Sequence, residues 1–265
     1  MPGGAKDFGL YGDFYNFVIR IMNRAAKIAI AIIAVTGMMI FAVATGRIFG
    51  SRVPHVDLPR DEFPVMGVDL SSHNGDVDFG RVSRGGVDFV FLKASEGETF
   101  RDAKFAVNYD SARVAGLKVG AYHFFRFDCD GDMQGINFLA SVGDRRLDLP
   151  LAIDVEEWGN PAGYTTDEVV RALRRMIFRL EGCGHRVIVY TNKQGYQRFV
   201  RGRFDELPVW VCSFTNPPIA TDSWTLWQHS HRSHVDGIDG EVDLNTFNGD
   251  SISWERWLAS DVKCH

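Results

Sequence analysis

Eight short apolar or β-branched runs recur between residues 65 and 245, several of them separated by helical patterns. They are VMGVDL (65–70), VDFVFLKA (87–94), KVGAYHFF (118–125), LPLAIDVE (149–156), RVIVYTN (186–192), PVWVCSF (208–214), WTLWQHS (224–230) and EVDLN (241–245). Helical patterns fall at 104–115, 132–142 and 165–181. In the last, Thr165 and Glu168 write a capping box, Val169, Leu173, Met176, Ile177 and Leu180 form one apolar stripe, and Gly182 stops it. Strands alternating with helices predict an α/β fold around a parallel sheet, open or closed into a barrel.

The runs share a second property: they end in polar residues. Asp69 ends the first, Lys93 and Glu96 the second, Tyr122 and His123 the third, Asp154 and Glu156 the fourth. Tyr190 and Asn192 end the fifth, Trp227 and Gln228 the seventh, and Asp243 the last. In a parallel barrel these ends share one face, where active sites are built. A single acid at a strand end is most often a turn or a helix cap; their concentration at one end is what points to a site. Asp154 and Glu156, two apart in a strand, would lie side by side at about 6–7 Å. Carboxylates that close raise each other's pKa.

Other chemistries find no support. A net charge of −5 argues against a nucleic-acid partner. Cys129, Cys183, Cys212 and Cys264 show neither zinc spacing nor a disulfide scaffold. Asp128, Asp130 and Asp132 begin like a calcium loop, but Met133 and Leu139 stand where it needs Gly and Glu, which leaves a polar loop. Nucleotide-binding glycine motifs and the GxSxG elbow are missing, so no metal or cofactor is expected. Arg171, Arg174, Arg175 and Arg179 read as the solvated face of their helix.

The N-terminus is of another kind. Residues 28–46 carry no charge and are just long enough to cross a hydrocarbon core of about 30 Å. Arg20, Arg24 and Lys27 predict a cytoplasmic segment 1–27 and a single-pass anchor in the inner or plasma membrane, with the rest outside the cytoplasm. Ala42-Val43-Ala44 also fits a cleavage site, which would give a secreted protein. Residues 47–64, with Pro54, Pro59 and Pro64, read as a linker, and 65–258 as the folded domain.

The segments MGVDLSSHNGDVDF, FVFLKASEGETFRDAKFAVNYDSARVAGLKVGAYHFFR, LPLAIDVEEWG, VIVYTN and LWQHSHRSHVDGIDGEVDLNTFNG, in this order, resemble the glycoside hydrolase family 25 lysozymes over about residues 65–250. The resemblance implies a modified (β/α)8 TIM-like barrel, some of its helices short or missing. It also implies a monomeric N-acetylmuramidase that cuts the β-1,4 bond between N-acetylmuramic acid and N-acetylglucosamine in peptidoglycan glycan strands. By position it carries the family's acids onto Asp69, Asp154, Glu156 and Asp243, and its groove onto Lys93, Glu96, Tyr122, Tyr190 and Trp227. Departures stand at His73-Asn74, where members often have an aromatic and Gln, at Phe79 for Trp and at Ser95 for Thr.

Glycoside hydrolysis needs a proton donor and a group that stabilises positive charge at the anomeric carbon. Glu156 is the expected donor, protonated beside an ionised Asp154. Asp154 would orient the substrate's acetamido group; in the rival scheme Asp69 is nucleophile or base. Two further readings stay open: a tethered glycan-binding protein without hydrolysis, and a chitinase-like glycosidase. Against the chitinase-like one, Ala152 stands where its motif carries an earlier acid.

Overall fold

A computed structural model of the protein describes residues 58–214 and 224–260. The expected membrane span 28–46, the segment 1–27 and linker residues 47–57 lie outside them; among the described residues no helix is long and apolar enough to cross a membrane. The elements run β1 (Met66–Leu70), α1 (Phe79–Arg84), β2 (Phe89–Glu96), β3 (Phe100–Arg101), α2 (Phe105–Val114), β4 (Lys118–Phe124) and α3 (Gly131–Val142). There follow β5 (Leu151–Asp154), α4 (Thr166–Gly182), β6 (Val187–Asn192), α5 (Lys193–Gly195) with a π-helical turn (Tyr196–Val200), β7 (Val209–Cys212), β8 (Leu226–Ser233), β9 (Val242–Phe247) and α6 (Ser251–Ala259).

Strand order is β1-β9-β8-β7-β6-β5-β4-β2, and β1 pairs again with β2, closing an eight-stranded barrel to which β3 adds a short hairpin. The expected α/β barrel is therefore present. It is not wholly parallel, because β9 runs antiparallel to both β8 and β1. Residues 234–241 join β8 to β9 without a helix, and a parallel return needs a crossover of roughly a dozen residues or more. The short connection reverses the strand.

Period-two alternation divides the strand residues between two cores. Phe89, Phe91, Ala152, Ile188, Trp210, Leu226 and Phe247 fill the barrel, and Trp254 of α6 packs with them. Their neighbours, including Val90, Ile153, Val189 and Val211, face outward onto Val82, Phe138 and Leu173 of the helices. Gly67 and Gly120 leave room inside for the Phe89 and Phe91 rings, which a Cβ at either position would strike.

Helix α4 forms as its pattern predicts, and Thr165 and Glu168 cap it reciprocally. Its arginines are less idle than expected. Arg175 and Arg179 pair with Asp130 and Asp132 at the start of α3, so the acids that imitate a calcium loop serve helix packing. Gly131 permits that approach, since a Cβ there would collide with the Ala172 carbonyl. Periodicity did not announce α1, α5 or α6. Cys129, Cys183 and Cys212 are free thiols.

Candidate active site

The parity that fills the barrel with aromatics also turns Asp69, Lys93, Tyr122, Asp154 and Tyr190 inward at the C-terminal ends of their strands. Asp243 reaches the same rim by another route. It lies near the start of β9, not at a strand's end as expected, and the reversal of β9 places it opposite Asp69. These residues and Glu156 line one cavity of about 260 Å³. A larger cavity, about 610 Å³, lies at the opposite end among Arg145, Arg146 and Arg186 and contains none of the four acids. Among the described residues no group of three or more His, Cys, Asp or Glu is arranged to hold a metal ion.

Asp69 is the most engaged of the acids. Its Oδ2 accepts from Gln228 Nε2 at 2.9 Å and Asn245 Nδ2 at 2.8 Å. Both amides are themselves oriented, Gln228 by Tyr190 Oη donating at 2.9 Å and Asn245 by Trp210 Nε1 donating at 2.8 Å. Burial raises the Asp69 pKa against these donors and a further hydrogen bond with Asp243. On Asp243, burial and then the Asp69 charge push the pKa to about 9. At neutral pH Asp243 therefore carries a proton and donates it to Asp69.

Strand β5 stops at Asp154, two residues short of the expected end. Val155 N still donates to Tyr190 O, but Val155 O accepts from the Thr191 hydroxyl, and Glu156 turns off the ladder into the mouth. Its backbone is pinned by Asn160, whose Nδ2 donates to both Glu156 O and Phe125 O at 2.9 Å while its Oδ1 accepts from Phe127 N at 2.8 Å. Burial and then the Asp69 charge raise Glu156 to about 7. Asp154 is lifted well above the carboxylate range, by burial first and then by the Glu156 and Asp69 charges, with Lys93 opposing. Its Oδ1 is buried without a hydrogen-bond partner. The direction of this shift runs against the expectation of an ionised Asp154 beside a protonated Glu156, and burial is its first cause. Glu157, the third acid of the stretch, is held by Arg198.

Lys93 Nζ donates to Glu96 Oε2 at 2.8 Å and lies 5.4 Å from the Phe124 ring centre. Glu96, expected in the groove, is not among the residues lining the cavity and also faces Arg126 at 3.7 Å. Trp227 does not line the groove. Its outward parity buries it completely between Phe63 and Trp224, with Nε1 donating to Ser213 O at 2.6 Å; Gln228, one residue on, points in. His123 also faces outward. Gln134 Oε1 accepts from Arg126 N and so also accepts a hydrogen bond from His123 Nε2–H, leaving Nδ1 to accept from Ser95 Oγ. Burial lowers His123 to about 3, so it is neutral.

The site also includes His73, Phe124, Trp158 and Trp210, which strand ends alone did not select. Trp210 carries a readable signal, being paired with Tyr190 across β6 and β7 in an inward row. His73 sits in a single 3-10 turn (Ser72–Asn74) and Trp158 in a turn after β5, segments too short for a period to reveal direction.

Comparison with known proteins agrees with this geometry. The family model of the glycosyl hydrolases, family 25, matches residues 68–238. Lysozyme M1 of Streptomyces globisporus is 31% identical over 209 residues, covering 72% of this chain and 70% of that protein. YegX of Escherichia coli K12 is 34% identical over 208 residues, covering 76% and 74%. A solved family 25 glycosyl hydrolase from Bacillus anthracis superposes with a TM-score of 0.71 at 32% identity, covering 78% of this chain and 98% of that one. With four carboxyls gathered at the rim of a barrel of this family's shape, the chain is a glycoside hydrolase and belongs to family 25.

Proposed function

We propose that the protein is a peptidoglycan lysozyme, hydrolysing the β-1,4 bond between N-acetylmuramic acid and N-acetylglucosamine. The observation that carries this reading is Glu156, held near pKa 7 by burial and the Asp69 charge within a cavity of four carboxyls. Such an acid keeps its proton near neutral pH and delivers it to the leaving oxygen.

Asp154 is the assisting group. Its unmet, buried Oδ1 is an acceptor waiting for a donor, and the substrate's acetamido N–H supplies one. That bond stabilises the ionised carboxylate, which then polarises the acetamido group for attack on the anomeric carbon. Asp69 suits the nucleophile role less, because two amides and Asp243 already engage it as hydrogen-bond donors. Asp69 and Asp243 shape the field of the cleft, while Lys93, Tyr122 and Tyr190 line the sugar path.

Residues 28–46 anchor the chain in the inner or plasma membrane and 65–258 form the catalytic unit outside the cytoplasm; this rests on the uncharged run and the basic residues before it. Product analysis on purified peptidoglycan tests the chemistry, with new reducing ends expected on N-acetylmuramic acid. Ends only on N-acetylglucosamine would overturn the bond assignment, and no new ends the hydrolysis.

A further inference from the structure

We propose that Trp158 is a sugar platform at the lip of the cleft, its indole stacking on a pyranose ring of the bound glycan. This rests on the lysozyme reading and assigns a binding residue within it. Trp158 is 80% exposed although it lines the cavity of the four acids. Among the described residues no hydrogen bond or ring contact engages its indole.

The backbone beneath it, by contrast, is fixed. Gly159 holds a φ of 78°, lies on the Phe124 ring, and its carbonyl accepts from Arg126 Nη1 at 2.8 Å. On either side Arg198 holds Glu157 and Asn160 makes its three hydrogen bonds. An ordered loop presenting an unpacked aromatic is preorganised for a ligand, since little freedom remains to be lost on binding. The ligand's chemistry follows from the surface: the C–H face of a sugar covers the indole while its hydroxyls meet the carboxyls below. Trp158 stands two residues from Glu156 and so grips a ring close to the scissile bond. Fold packing does not account for the exposure. Phe100, 50% exposed, at least lies under Lys93, whereas Phe178, 78% exposed on the outer face of α4, is remote from the cleft and serves as a control.

The test uses soluble peptidoglycan glycan strands. KM and kcat are measured for the unaltered enzyme, Trp158→Ala, Trp158→Tyr and Phe178→Ala, and Kd for Glu156→Gln with and without Trp158→Ala. The expected result is a rise in KM and Kd of about tenfold for Trp158→Ala, kcat and melting temperature near the unaltered values, recovery with Trp158→Tyr, and no change with Phe178→Ala. Unchanged KM and Kd in Trp158→Ala, with the unaltered enzyme active, would overturn the platform alone. A loss confined to kcat would also overturn it, making Trp158 a support for Glu156. If the unaltered protein neither cuts nor binds the strands, both the platform and the lysozyme reading fall.

Discussion

Asp69 and Asp243 are directly opposed in the antiparallel pairing of β1 with β9 and share a proton. Their proximity has a stability consequence whose sign follows from linkage. Asp243 titrates at about 9 in the fold against an ordinary aspartate value of 3.8, so between those limits the native state holds a proton that the unfolded chain has released. Stability falls as pH rises across that window. Asp243→Asn removes the titration but keeps a donor for Asp69. Its melting temperature is expected to exceed that of the unaltered protein at pH 7 to 8, with the difference shrinking toward pH 4; equal melting curves at pH 8 would contradict the shared proton.

As the proposed proton donor, Glu156 should set the alkaline limit of activity. With a pKa of about 7, the protonated form is lost as pH rises through that value, and kcat/KM should decline there. Glu156→Gln keeps the shape without the transferable proton and should slow the reaction by about 10²-fold or more. Steady-state rates from pH 5 to 9 and a circular dichroism spectrum of the variant check both statements.

Asp154 separates the two chemical schemes. Asp154→Asn should be severely impaired on N-acetylated substrate, and an oxazoline mimic should inhibit the unaltered enzyme. Mass spectrometry of a trapped reaction should find no glycosyl adduct on Asp69. An adduct on that residue would instead make Asp69 the nucleophile.

Trp227 tests the parity of β8. Because it is buried in the outer core, Trp227→Ala should cost stability, about 3–5 kcal/mol by comparison with other large-to-small core changes. The milder Trp227→Phe removes the bond to Ser213 O and should lower the melting temperature while leaving KM near its original value. A raised KM with unchanged melting would put the indole back in the groove.

The strands were legible because apolar and β-branched residues cluster wherever a barrel buries both faces, and all eight runs coincide with its staves. Helix α4 was legible from its cap and stripe. Orientation within the strands was harder. Trp227 and Gln228 are neighbours at one strand, and only the two-residue period, counted through the neighbouring strands, decides which faces in. The direction of β9 depended on the shortness of residues 234–241, so Asp243 was read at a strand's end although it lies near the start of β9. The proton distribution between Asp154 and Glu156 was not legible, since it depends on how much water each retains and on a hydrogen bond that Asp154 Oδ1 lacks. His73, in a single 3-10 turn, and Trp158, in a turn after β5, carry no periodic signal at all.

Closing the barrel with β9 between β8 and β1 makes the completion of the site depend on the last strand to be synthesised. Asp69 belongs to the first stave, and its partner Asn245 lies 176 positions later in the last. A nascent chain lacking Val242–Phe247 has neither the Asp243 carboxyl nor the Asn245 amide, and its first strand has no β9 to pair with. The rim of the cleft is thus assembled only when the first and last strands of the barrel have paired.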